Sequence, residues 1–121
     1  MSHTFRSGEI FVFGSNLRGA HGAGAARDAL SLGAVMGEGI GRQGQTYAIP
    51  TKDWNIETLS IKAIRPHVEV FCDYARTHWK DTFFVTALGT GLAGYAHKDI
   101  APLFRDVPGN CRMPPEWLEY L

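Results

Sequence analysis

The sequence predicts a single α/β domain over residues 1–121, built as a three-layer sandwich with a mixed sheet and helices on both faces. Three observations predict it. Apolar runs rich in β-forming residues alternate along the chain with segments of helical period. The runs Glu9–Phe13 (EIFVF) and Thr82–Leu88 (TFFVTAL) are nearly unbroken in their apolar character, as strands covered on both faces are. A chain of 121 residues supports one ordinary core and not two.

The first strand is Glu9–Phe13, ended by Gly14. A loop follows over Ser15–Gly22, then a short helix over Ala23–Leu32, with Ala23, Ala26 and Leu30 on a small-residue face and Gly33 as its stop. A glycine-bearing strand is expected at Val35–Ile40 and another at Thr46–Thr51, where Pro50 implies an end or an edge. The longest helix covers Ile61–His78. Ile61, Ile64, Val68, Phe71 and Ala75 recur at three- and four-residue steps, Ser60 suits the N-cap, and Pro66 should kink the helix or start a second one. After the strand Thr82–Leu88 come a turn-rich loop, Gly89–Tyr95, and a short helix, Lys98–Arg105. A last strand at Asn110–Met113 leads to a tail in which Trp117, Leu118 and Leu121 pack on the body.

Composition narrows the function classes. Hydrophobic residues make up 45% and charged residues 20%, a globular balance. Lys plus Arg equals Asp plus Glu at 12 each, so the basic surplus of a general nucleic-acid binder is missing. No run approaches the ~18 apolar residues of a membrane span. Met1–Ser7 carries no apolar stretch, so a leader peptide and a membrane partner are not expected, and the expected location is cytoplasmic. Cys72 falls on the apolar face of the long helix, a buried thiol. No CxxC or Cys/His spacing suggests a metal, and no cofactor is expected.

Glycine stands out, at 14 residues gathered in Gly14–Gly24, Gly33–Gly44 and Gly89–Gly94. Two of these clusters sit in strand–loop–helix units, EIFVFGSNLRGAHGAGAARDAL and TFFVTALGTGLAGYAHKDIAPLF. Such loops let backbone amides approach an anion, and a helix beginning after them adds its dipole. A pair of them at the carboxyl ends of strands suits a diphosphate. Neither is a Walker A sequence or a clean GxGxxG fingerprint, and tight turns with close helix–sheet packing explain the same glycines. No Ser-His-Asp order, GxSxG elbow or convincing carboxylate pair appears.

Over roughly Glu9–Phe104 the chain resembles the macrodomain family. The resemblance is carried by Gly14-Ser15-Asn16-Leu17 with Gly19-Ala20-His21-Gly22-Ala23-Gly24, and by Gly89-Thr90-Gly91-Leu92-Ala93-Gly94-Tyr95. The runs FVFGSNLRGAHGAGAA, GQTYAIPTKD and TALGTGLAGY are also similar to small macro-like proteins of bacteriophages and bacteria. The resemblance implies a compact macrodomain-like fold and an ADP-ribose-type ligand. Asn16 would meet the distal ribose, the amides of Thr90–Gly94 the diphosphate, and Tyr95 would cover the distal ribose; Gly14, Ser15, Gly22, Ala23, Gly24, Gly89, Gly91, Leu92 and Ala93 complete the implied ligand-binding set.

Tyr47-Ala48-Ile49-Pro50-Thr51-Lys52-Asp53-Trp54 is similar to a segment of the macrodomain branch that removes ADP-ribose from DNA or acidic side chains. That likeness implies Lys52 as the candidate catalytic residue, and Asn16 is taken as a second one. Lys52 also reads as a solvated charge at a strand end. Two departures stand against the pattern. Ala93 occupies the place of the branch's acidic residue. Only Met1–Gly8 precede the first strand, where the family has a further strand and an adenine-reading acid, for which Glu9 is the candidate substitute.

His21 and His97 read as phosphate contacts or water-orienting groups, or as ordinary exposed loop residues. Arg18 and Arg42 are candidates for phosphate contact. Trp54 and Trp79 are candidates for stacking a base, or for partial burial at element ends. Three functions follow: a binder of ADP-ribose or a related NAD-derived nucleotide, a hydrolase acting on ADP-ribosylated DNA or protein, and a scaffold keeping the fold alone.

Overall fold

A computed structural model describes residues 3–121; Met1 and Ser2, the start of the segment read as lacking a leader, lie outside the described residues. The elements are β1 (Ile10–Asn16), α1 (Gly24–Leu30), β2 (Gly41–Gln43), β3 (Thr46–Lys52), α2 (Ile61–Thr77), β4 (Phe83–Val85), α3 (His97–Ile100) and β5 (Cys111–Arg112), with 3₁₀ turns at Ala101–Phe104 and Pro115–Tyr120. The sheet order is β2-β3-β1-β4-β5. Neighbours pair in parallel except β2 with β3, which is antiparallel, so the sheet is mixed.

Period-two alternation sends successive side chains of the central strands to opposite faces. Ile10 and Val12 of β1, with Tyr47, Ile49, Phe83 and Val85, meet Ile64, Val68, Phe71 and Ala75 of α2. Phe11 and Phe13, with Ala48 and Phe84, meet Ala26 and Ala29 of α1. Both faces are covered, which is why these strands read as continuous apolar runs. Among the described residues no helix is long and apolar enough to cross a membrane.

Several elements differ from expectation for identifiable reasons. Pro66 lies inside a continuous α2. It is exposed and near the helix start, so only the carbonyl one turn before it loses its amide partner, on the solvent side. Ser60 does cap α2, accepting from the amide of Ala63 at 3.1 Å. Pro50 is buried within β3, opposite Ser15 of β1; its missing N–H removes no bond to β2, whose pairing ends at Ala48. The expected strand Val35–Ile40 is a loop, and β2 forms later, at Gly41–Gln43. The last strand is limited to Cys111–Arg112. In the tail Trp117 is fully buried, whereas Leu118 and Leu121 are exposed.

Candidate functional site

β1 runs further than its apolar core, carrying Gly14, Ser15 and Asn16 into the sheet. Its ladder with β3 slips between Ser15 and Asn16, and the slip sets Asn16 opposite Lys52 at the carboxyl end of the sheet. β4 stops at Val85, and Thr86 after it still donates both its hydroxyl and its amide to the Val12 carbonyl, at 2.8 and 3.1 Å. The chain beyond it is then released from the sheet, over the same end.

A cleft of about 480 Å³ opens there. Gly14, Ser15, Asn16, Ala20, Gly22, Ala23, Gly24, Ala25 and Ala26 line it from the first loop and α1. Thr86, Ala87, Leu88, Gly89, Gly91, Leu92 and Ala93 line it from the second loop, and Thr51, Lys52 and Ile56 from the end of β3. Sequence reasoning missed Ala20, Ala25, Ala26, Thr51, Ile56, Thr86, Ala87 and Leu88; only the folding of three separate segments to one edge brings them in. Lys52 is the one charged residue of this lining, and no carboxylate belongs to it. Among the described residues, no protein group accepts from the amides of Gly22, Ala23 and Gly24 in the first loop, or of Gly91, Leu92 and Ala93 in the second.

Three expected ligand residues stand outside the lining. Thr90 directs both its amide and its hydroxyl to the Ala87 carbonyl, at 3.4 and 2.6 Å. Gly94 donates to Gly91 at 3.0 Å, closing the turn. Tyr95 packs on the α2-side core and donates its hydroxyl to the Leu59 carbonyl at 2.6 Å, tying the second loop to the segment before α2. These three shape the loop from behind.

Asn16 lies in the lining and is also a local brace: its carboxamide N–H donates to the Ala20 carbonyl and its oxygen accepts from the Ala20 amide, each at 2.9 Å. Behind it, the glycine-rich segment 33–44 acts as a buttress. The Ser15 hydroxyl donates to the Gly39 carbonyl, Nε2 of His21 meets the Glu38 carbonyl at 3.0 Å, and the Gly37 amide donates to Gly19 at 2.9 Å. His21 is buried under the loop, edge-on to Phe13, and its Nδ1 has no partner among the described residues. Neither histidine reaches the cleft as a donor: Nδ1 of His97 accepts the indole N–H of Trp117 at 3.0 Å.

Glu9 sits at the opposite end of β1 from Asn16, on the order of 20 Å away along the strand. It is buried and ion-paired with Arg112 at 2.6 Å, which removes it from base recognition. Arg42 bonds Tyr74 and lies 3.7 Å from Asp81, at the β2 edge. No group of three or more His, Cys, Asp or Glu among the described residues could hold a metal ion. No family model matches the chain, and no curated protein and no solved structure matches it.

Proposed function

We propose that this chain binds ADP-ribose or a related NAD-derived nucleotide, in the manner of a macrodomain. The observation that carries the reading is the meeting of two glycine-rich loops, distant in sequence, on one cleft at the carboxyl edge of the sheet. Among the described residues the amides of Gly22, Ala23 and Gly24 and of Gly91, Leu92 and Ala93 lack protein acceptors, and the lining adds one cation and no anion. Such a surface favours a doubly charged pyrophosphate, which accepts from several amides at once. The volume is within the ordinary range of small-molecule sites, roughly 300–1,000 Å³. Calorimetry with ADP-ribose against NAD, AMP and ATP tests the reading: ADP-ribose should bind most tightly, and the absence of heat with all four would leave the scaffold function.

Hydrolysis is the second reading, favoured by the pairing of Asn16 with Lys52 inside the cleft. In that reading the Lys52 amine attacks the anomeric carbon of an ADP-ribosyl group on DNA or protein, the bond from that carbon to the modified group breaks as the departing oxygen takes a proton, and water then cleaves the lysine–ribose adduct to free ADP-ribose and the amine. A lysine attacks as its neutral amine, and a carboxyl group is the usual source of the proton. The lining supplies no carboxylate, so binding is placed ahead of hydrolysis. Release of ADP-ribose from modified DNA or protein by the wild type, and its loss in Lys52→Ala, would reverse that order.

A further inference from the structure

We infer that residues 3–8 form a strap that sets the root of the second loop, with His3 as a positioning residue, and that seating of this strap strengthens ligand binding in the cleft. Only the effect on the ligand rests on the nucleotide reading above.

The inference starts from a carbonyl that the sheet cannot serve. β4 and β5 pair in parallel, and the Phe83 amide donates to the Asn110 carbonyl at 2.9 Å. Carried on in the same register, the ladder brings Pro114 to the Val85 carbonyl, and proline has no N–H to give. Val85 is buried, where a carbonyl left without a donor costs stability. His3 fills the gap from the far end of the chain: its Nε2 lies 2.8 Å from that carbonyl. A carbonyl can only accept, so the ring N–H donates.

On the other side of the same strand end, the amide and hydroxyl of Thr86 are tied to the Val12 carbonyl of β1. The chain therefore leaves the sheet between two fixed points, His3 against Val85 and β1 against Thr86. Thr86, Ala87 and Leu88 follow directly, and all three line the cleft. Consecutive Cα atoms are about 3.8 Å apart across a planar peptide, so a shift of Val85 carries Thr86 with it.

The strap is built to hold this place. The His3 ring stacks on Phe84, with centroids 4.1 Å apart and planes 17° from parallel, and Phe5 meets Phe84 and Phe11 edge-on. The Arg112 guanidinium of β5 lies 5.4 Å from the centroid of the same Phe84 ring and donates to the Thr4 carbonyl at 3.3 Å. At the base of the strap, the Glu9 carboxylate accepts from the Arg6 amide at 2.7 Å and pairs with Arg112. The ion pair that withholds Glu9 from a ligand thus anchors the strap. His3 and Phe5 are only half-buried, and Thr4 and the residues 6–8 are exposed. Such a segment opens at lower cost than the helix-covered core, so its seating can be changed without unfolding the domain.

Two measurements on the full chain test this. The first is backbone amide exchange without ligand. His3→Ala should quicken exchange about tenfold at Thr86, Leu88 and Tyr95, whose bonds hold the root and the turn of the second loop, and leave the amides of α2 at wild-type rates. His3→Gln, which keeps a side-chain N–H donor at a similar reach, should recover most of the loss at Thr86. Wild-type rates at all three positions in His3→Ala overturn the strap. An equal quickening in α2 also overturns it, since the role of His3 would then be general stability. The second is calorimetry, where His3→Ala should weaken ADP-ribose about three- to tenfold and His3→Gln should restore most of the affinity. Unchanged affinity in His3→Ala overturns the link between strap and ligand. Absence of ADP-ribose binding by the wild type removes the nucleotide reading and that link with it, and the exchange rates then decide the strap by themselves.

Discussion

Asn16 and Lys52 face each other across the one irregular step of the β1–β3 ladder, where Ser15 pairs with Pro50 and Asn16 with Lys52. The slip brings one cation to the cleft without a neutralising carboxylate in the lining. Lys52→Ala should therefore keep the melting temperature within about 2 °C of wild type, since the side chain is only half-buried and makes no ion pair among the described residues. Its ADP-ribose Kd should rise about three- to tenfold, from loss of a charge-assisted contact. An unchanged Kd by calorimetry would show that Lys52 does not touch the ligand.

Gly91 offers a test of the second loop that folding does not confound. A Cβ built there meets nothing within 4 Å, and its φ is outside the left-handed region. Gly91→Ala should bind ADP-ribose nearly as wild type. Gly91→Glu sets a carboxylate against the amides of Leu92 and Ala93 and should weaken binding by at least about thirtyfold at unchanged melting temperature. Equal affinities for the two variants would remove the second loop from the phosphate site.

Gly39 tests the buttress. Its φ is ordinary, but a Cβ would collide with the backbone carbonyl of Asn16, which has no flexible end to yield. Gly39→Ala should cost roughly 1–3 kcal/mol or more in denaturant unfolding. In variants that stay folded, amide exchange should quicken at Gly19–Gly24, because the first loop loses its backing. A wild-type exchange pattern would separate the loop's shape from its buttress.

The Trp117–His97 bond ties the tail to the start of α3, immediately after the second loop. Trp117 is fully buried, so His97→Ala leaves its indole N–H in the core without an acceptor. The expected cost is about 1–3 kcal/mol, a fall of roughly 4–12 °C in melting temperature by calorimetry. No change in melting temperature would mean that the indole N–H finds another acceptor.

Alkaline pH should destabilise the fold in a definite window. Burial pushes the Cys72 thiol up from 9.0 to about 11 and the Cys111 thiol, with Cys72 nearby, from 9.0 to about 12; burial and the neighbouring Tyr74 push Tyr47 from 10.0 to about 12. A raised folded-state pKa means that the unfolded chain releases its proton first. The stabilisation is complete below pH 9 and is lost as pH rises through 11–12. Melting temperature should therefore fall progressively above pH 9, and both thiols should react slowly with a disulfide reagent until the protein is unfolded. Rapid reaction of the Cys72 thiol in the native protein at pH 8 would contradict its burial.

Local pattern alone was enough for the elements whose signals are local. The apolar run of β1, the TYAIPT run of β3, the three- and four-residue steps of α2 and the Ser60 cap are each written in a few consecutive residues; the structure keeps β3 and α2 close to their expected bounds and carries β1 on through Gly14 to Asn16. The glycine clusters marked where loops lie, since turns and close approaches favour glycine wherever they occur in a chain. What they could not mark is which loop faces the cleft and which supports it. Gly33–Gly44 looks like a third candidate loop and is the buttress of the first, because the approach of Gly39 to Asn16 joins residues far apart in sequence. Thr90 and Tyr95 belong to a loop motif, yet each spends its hydroxyl on a carbonyl behind that loop. Trp54 and Trp117 are equally apolar on paper; one is outside and the other in the core. The chain by itself determined the layers, because burying apolar faces is encoded by periodicity. Which polar groups stay open to a ligand was decided only by tertiary packing, because a hydrogen bond is directional and short, and its partner is chosen by the fold.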